Sequence, residues 1–177
     1  MARGVPAPPG GPGRQDRGER FGHRGGIPGL LMLSAFVLGT LALGALMGSL
    51  TRPELAGWYH LLAAPPGTVP DRIFAPVWTA LYAAMAIAAW RVWLRAGLRP
   101  LGWWFVQLLL GAAWTPAFFV LHAPAAALGV ILALWLAILA CLRAFRPIDG
   151  VASGLLMPYL AWVTYAAYLN AGFVWLN

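Results

Sequence analysis

The sequence predicts an all-α integral membrane protein, a five-transmembrane-helix bundle, and three observations point to it. Five apolar stretches, residues 27–50, 73–94, 101–121, 123–142 and 151–175, each approach the roughly 20 residues a helix needs to cross a hydrocarbon core. Arg91 is the only charged residue inside any of them. The composition agrees, with 61% hydrophobic residues, 10% charged residues and a mean hydropathy of +0.73. A water-facing domain could not cover that much apolar surface. Membrane β-barrels read as short alternating segments, not as continuous apolar runs, and are excluded.

Residues 1–26 are rich in Gly, Pro and Arg, which offer little to bury, so a disordered tail is expected ahead of a five-helix membrane domain over 27–177. The tail lacks the amphipathic, Ser-rich character of a transit peptide. The apolar run after it exceeds the roughly 7–15 residues of a signal-peptide core and is expected to stay as a span. That first span carries Thr40, Gly44 and Gly48 at four-residue spacing. Small residues on one stripe let backbones approach closely, either within the bundle or along a seam between two copies.

The first loop, residues 51–71, differs from the others. Pro53, Pro65, Pro66 and Pro70 stiffen it without making it regular, and it holds the cluster Trp58-Tyr59-His60. Its length and aromatic content suit a lid or an interfacial segment. The second span places Trp78, Tyr82 and Met85 on one face, with Ala80, Ala83, Ala84 and Ala88 as packing surface. The third aligns Gln107, Gly111 and Trp114. Pro116, and Pro158 in the fifth span, free the carbonyls of Ala112 and Gly154, which must then face protein or a cavity. The fourth span is plain apart from Trp135. The fifth aligns Tyr159, Trp162 and Tyr165, with Asn170 near its outer end.

All twelve basic residues are arginines, and they are unevenly placed. The tail, the second loop (Arg91, Arg95, Arg99) and the fourth (Arg143, Arg146) share one side and hold ten; only Arg52 and Arg72 lie on the other. Cytoplasmic loops retain the Lys/Arg excess, so the N-terminus is expected in the cytoplasm and the C-terminus outside. The net charge of +7 is thus topological, and nucleic acid is not an expected partner. Cys141 is alone, so no intramolecular disulfide can form. No acidic residue lies within a span to relay protons or cations. His23, His60 and His122 fall in tail or loops, without a metal-ligand spacing. No Ser-His-Asp set, phosphate loop or paired-carboxylate helix occurs, so neither catalytic residues nor a metal or other cofactor is expected.

Trp90, Trp93, Trp103, Trp104 and Trp175 lie at span ends, where an aromatic belt sits at headgroup depth. Trp78, Trp114 and Trp162 lie deeper, beside prolines, where an aromatic stripe is either core packing or a ligand box. Gln107, the most polar side chain deep in a span, is either an interhelical hydrogen-bonding residue or a ligand contact.

Several motifs are similar to a known family. Trp58-Tyr59-x-x-Leu62-x-x-Pro65, then Pro70, Phe74, Val77-Trp78-Thr79, Leu81-Tyr82 and Met85, resembles the tryptophan-rich sensory protein (TspO) family, relatives of the mitochondrial translocator protein once called the peripheral benzodiazepine receptor. Gln107-Leu108 and Trp114-Thr115-Pro116-x-Phe118-Phe119 match its third helix. Pro158-Tyr159-x-x-Trp162 and Leu169-Asn170 match its fifth. The resemblance covers about residues 30–177.

It implies a five-helix bundle, commonly a homodimer in a bacterial cell envelope, with a pocket under the first loop. Its expected ligands are porphyrins, haem-like tetrapyrroles and other hydrophobic small molecules, with a sensory or regulatory output. Some members resemble weak light-driven porphyrin degraders, and Trp78 and Trp162 fall on the tryptophans tied to porphyrin contact and that chemistry. Trp58, Tyr59, Pro65 and Tyr82 fall on pocket or lid positions; Gln107, Trp114 and Tyr159 complete the expected ligand-binding set. Ala64 stands where a basic residue is usual, Pro66 and Gly67 where loop aromatics are usual, and Gly111 where an Asn is usual. No Lys or Arg follows Arg146, so the L/V-x-Y-x-K/R sterol pattern cannot occur in the last span. A scaffold built of the same stripes, without a ligand, is the remaining alternative.

Overall fold

In hydrocarbon a chain must satisfy its own backbone, and apolar runs of this length do so as helices. The structure is a computed structural model describing residues 26–177; the expected tail lies outside the described residues apart from Gly26. Helices follow the apolar runs: α1 (Ile27–Ala56), α2 (Phe74–Ala96), α3 (Gly102–Thr115), α4 (Pro124–Phe145), α5 (Gly150–Leu155) and α6 (Met157–Leu176). Among the described residues there is no strand. Four helical segments are long and apolar enough to cross a membrane, and α5 with α6 supplies the fifth pass. The protein is an integral, multi-pass membrane protein. α1 packs on α2, α2 on α5, α3 on α4, and α4 on α6, while the outer end of α1 leans on the end of α3.

Three boundaries differ from the sequence reading, each through proline. α1 does not end at Leu50 but runs through Pro53 to Ala56, where Gly57 closes it with an N–H to the Glu54 carbonyl (3.3 Å). The loop is correspondingly shorter and opens on a 3₁₀ turn, Trp58–Leu61. At Pro116 the third pass widens into a π-helical turn, Pro116–Val120: proline cannot donate back, and Leu121 N–H reaches the Pro116 carbonyl (2.9 Å) five residues behind it. The extra residue turns both Phe118 and Phe119 inward, and both are buried. The fifth pass breaks at Leu156, and Pro158 occupies the first turn of α6, where its missing N–H costs nothing.

At the N-terminal side of the bundle one carboxylate organises the loops. Asp149 accepts from Val151 and Ala152 N–H (2.9 and 3.1 Å), capping α5. It also holds Arg91 (2.8 Å) and Arg95 of α2. That explains the one arginine inside a span: its head reaches the loop at the helix end. Not every terminal tryptophan is a belt residue. Trp103 and Trp175 are exposed, but Trp104 is buried and donates its indole N–H to the Met85 carbonyl (3.1 Å). Trp90, half-buried, donates to the Gly29 carbonyl (2.8 Å), tying α2 to the start of α1.

Candidate ligand-binding cavity

Between α1, α2, the end of α3 and α6 the helices enclose a cavity of about 630 Å³, within the range of about 300–1,000 Å³ usual for small-molecule pockets. Its depth is set where Gly44 of α1 meets the Tyr82 ring of α2; a Cβ on Gly44 would come within 2.7 Å of that ring. Thr40, one turn below, shares its hydroxyl between the Phe36 carbonyl of its own helix (2.9 Å) and the Tyr82 carbonyl (3.3 Å). Thr40 and Gly44 of the small-residue stripe therefore pack inside the bundle, and its last member, Gly48, lines the cavity.

Trp78 forms one wall, set at 5.7 Å from Tyr82 and 6.2 Å from Tyr159 behind it. Trp114 forms the opposite wall. Its indole N–H donates to Asn170 Oδ1 (3.0 Å), and Asn170 Nδ2 donates to the Pro124 carbonyl (2.8 Å). This chain fixes an indole edge and satisfies a buried amide in one arrangement. Tyr59, Phe118, Phe119 and Phe173 close the top as interlocked rings with centroids 4.9 to 6.4 Å apart. Tyr59 stays neutral: burial first, then the Asp71 carboxylate and Tyr165, push its phenol up to about 12. The roof is thus uncharged, and among the described residues charge reaches the cavity only at its rim, through Arg52 and Asp71.

The proline loop is held down by α6. Tyr165 hydroxyl donates to the Gly67 carbonyl (2.9 Å) and accepts from Val69 N–H (3.2 Å), and Tyr168 hydroxyl donates to the Pro66 carbonyl (2.9 Å). Asn177 pairs with both backbone groups of Ala63 (2.9 and 3.3 Å). Gly67, at φ 81, supplies the left-handed residue of a tight turn closed by Thr68 N–H on the Pro65 carbonyl (3.3 Å). Pro65 is buried against Gly172, where no side chain larger than hydrogen fits.

Of the residues expected from sequence, Tyr59, Trp78, Tyr82 and Trp114 line the cavity together. Trp58, Pro65, Gln107, Tyr159 and Trp162 do not. Trp58 packs edge-on against Phe118 at 5.8 Å, at the margin of the ring cluster, and stacks on His122 (4.2 Å), whose Nε2 lies 2.9 Å from Glu54 Oε2. Tyr159 backs Trp78, and Trp162 backs Phe74 at 5.8 Å. Gln107 is buried with neither amide atom hydrogen-bonded. Phe74, Phe118, Phe119, Phe173 and Asn170 line the cavity without having been singled out as ligand-contacting. Asn170 carries the same signal in sequence as Gln107, a polar amide within an apolar span.

Fold and site together define a class: a five-pass helical membrane protein with an aromatic cavity under an ordered first loop. Residues 36–176 match the TspO/MBR family, and the chain belongs to it. It is 34% identical over 159 residues to the tryptophan-rich protein TspO of Chlorobaculum tepidum, covering 83% of this chain and 97% of that one. It is 38% identical to the tryptophan-rich sensory protein of Cereibacter sphaeroides (71% and 79% covered). It is 36% identical to the translocator protein of Bos taurus (73% and 80% covered). The second and third of these relatives are named for sensing and for translocation.

Proposed function

We propose that the protein is a membrane receptor or carrier that captures a flat hydrophobic ligand of the tetrapyrrole type, with a sensory or regulatory output and no catalytic step. One observation carries the reading: an aromatic cavity of about 630 Å³ whose charged groups among the described residues, Arg52 and Asp71, sit at its rim. Ring faces suit the body of a macrocycle, and a rim arginine suits the carboxylates that must stay near water. The arginine distribution supports a cytoplasmic N-terminus, and in this reading the rim belongs to the outer face of a cell-envelope membrane. Pairing into a homodimer belongs to the same reading, through the resemblance. Light-driven breakdown of the ligand is less well supported, because Trp162 stands one ring behind the cavity, beyond Phe74.

Quenching of tryptophan fluorescence by protoporphyrin, with the protein in lipid vesicles, tests the proposal. Saturable quenching at micromolar concentration is expected. Trp78→Ala should lower affinity about tenfold, the order of a lost aromatic contact together with its buried area. Arg52→Gln should weaken protoporphyrin more than its dimethyl ester. Quenching that never saturates removes the reading.

A further inference from the structure

Where α1 and α2 touch, they touch tightly, and then they part. At Gly44 the backbone of α1 lies against the Tyr82 ring; four residues further out, a Cβ on Gly48 would find nothing within 4 Å. The outer end of α1 is drawn to the opposite side of the bundle, where it leans on the π-turn and Glu54 meets His122 at 2.9 Å. The two helices therefore open as a V with its apex at Gly44. Along the gap the residues are small: Ala45, Gly48 and Ser49 on α1, Ala75 and Thr79 on α2. Each of these both lines the cavity and is exposed.

The top of the cavity is the contrasting case. Tyr59, Phe118, Phe119 and Phe173 fill it with interlocked rings, and the loop beside them is tethered through Tyr165, Tyr168 and Asn177. Gly48 lies four residues inward of Arg52, a depth of about 6 Å below the charged rim at the 1.5 Å rise of a helix. The gap thus lies within the apolar span, while the ring cluster covers the cavity beneath the loop.

We infer that the cavity is loaded sideways from the bilayer, through the gap between α1 and α2, and that its ligands are molecules already dissolved in the membrane. This rests on the reading of the cavity as a ligand site. The small residues act as the frame of a portal. A planar apolar body passes edge-on between them while its anionic edge stays at interface depth, beside Arg52. Entry then needs no disruption of the ring cluster or the loop tethers.

Stopped-flow quenching by protoporphyrin pre-dissolved in the membrane of proteoliposomes tests the inference, with association and dissociation both measured. Gly48→Leu, or Thr79→Leu on the facing wall should the first fail to fold, narrows the gap. Each is expected to slow association about tenfold and also to slow dissociation, because one passage serves both directions. A variant that merely damaged the site would speed dissociation instead, and that result overturns the portal. Tyr165→Phe with Tyr168→Phe loosens the loop and should leave both rates as in the wild type; faster loading would mean entry through the roof and would overturn the inference too. Saturable binding with unchanged rates in the gap variants removes the portal alone. Absence of saturable binding by the wild type removes the ligand site with it.

Discussion

Gln107 and Asn170 are the two amides set within the apolar spans, and they fare differently. Asn170 accepts from Trp114 and donates to the Pro124 carbonyl, so its removal would orphan two groups in a low-dielectric interior. Asn170→Leu is expected to cost about 2 kcal/mol, read as a lowered midpoint of thermal unfolding in detergent. Gln107 has no partner at either amide atom. Gln107→Leu removes an unmet desolvation cost and should leave stability unchanged or raise it by about 1 kcal/mol in the same assay. Sequence could flag both residues as polar groups in hydrocarbon, but it could not tell them apart, because satisfaction depends on which helix lies opposite. Asp149 is a third case. Asp149→Ala strands Arg91 and uncaps α5, with an expected loss of about 3 kcal/mol, the size measured on breaking one side of a buried ion pair. A smaller thermal shift than that of Asn170→Leu would contradict this assignment.

At the scale of elements, the spans were legible because each is a continuous apolar run with no other way to satisfy its backbone in lipid. Their ends were less legible, since proline carries two opposite meanings. Pro158 falls inside an apolar run that reads as one span, yet it opens a new helix; Pro53 reads as part of the loop, yet it lies inside α1. Pro116 neither breaks its helix nor passes unnoticed but shifts it into the π-turn that brings Phe118 and Phe119 inward. Spacing at 3.6 residues puts Phe118 on the face of Trp114, but it could not have brought Phe119 in beside it. The contact between the loop and α6 is equally hidden in sequence, and it depends on a glycine. A Cβ at Gly172 would lie 2.5 Å from Pro65 Cβ, whereas one at Gly129 would meet nothing within 4 Å. Gly172→Ala is therefore expected to destabilise the protein by about 2 kcal/mol and to expose the loop to limited proteolysis. Gly129→Ala should be neutral or slightly stabilising through helix propensity. Equal behaviour of the two variants in a protease time course would mean that Pro65 does not hold the loop.

For the whole molecule, sidedness decides what the cavity can serve. Membership in a five-helix family was readable from motifs in register, and four of the nine expected site residues do meet in one cavity. Of the other five, Tyr159 and Trp162 stand one ring back, because spacing along a helix gives a face but not the neighbour that the face meets. Orientation rests on arginine counts alone, so it calls for an independent measurement. Leu61 is 84% exposed in the outer loop and Leu98 is 56% exposed at the opposite end of the bundle, while Cys141 is buried and should give little background. In intact cells, a membrane-impermeant maleimide should label Leu61→Cys at once and Leu98→Cys only after permeabilisation. The reverse pattern would turn the molecule over. Arg52 and Asp71 would then meet cytoplasmic water, and the carboxylates of any bound ligand would be presented to the cell interior instead of to the outside.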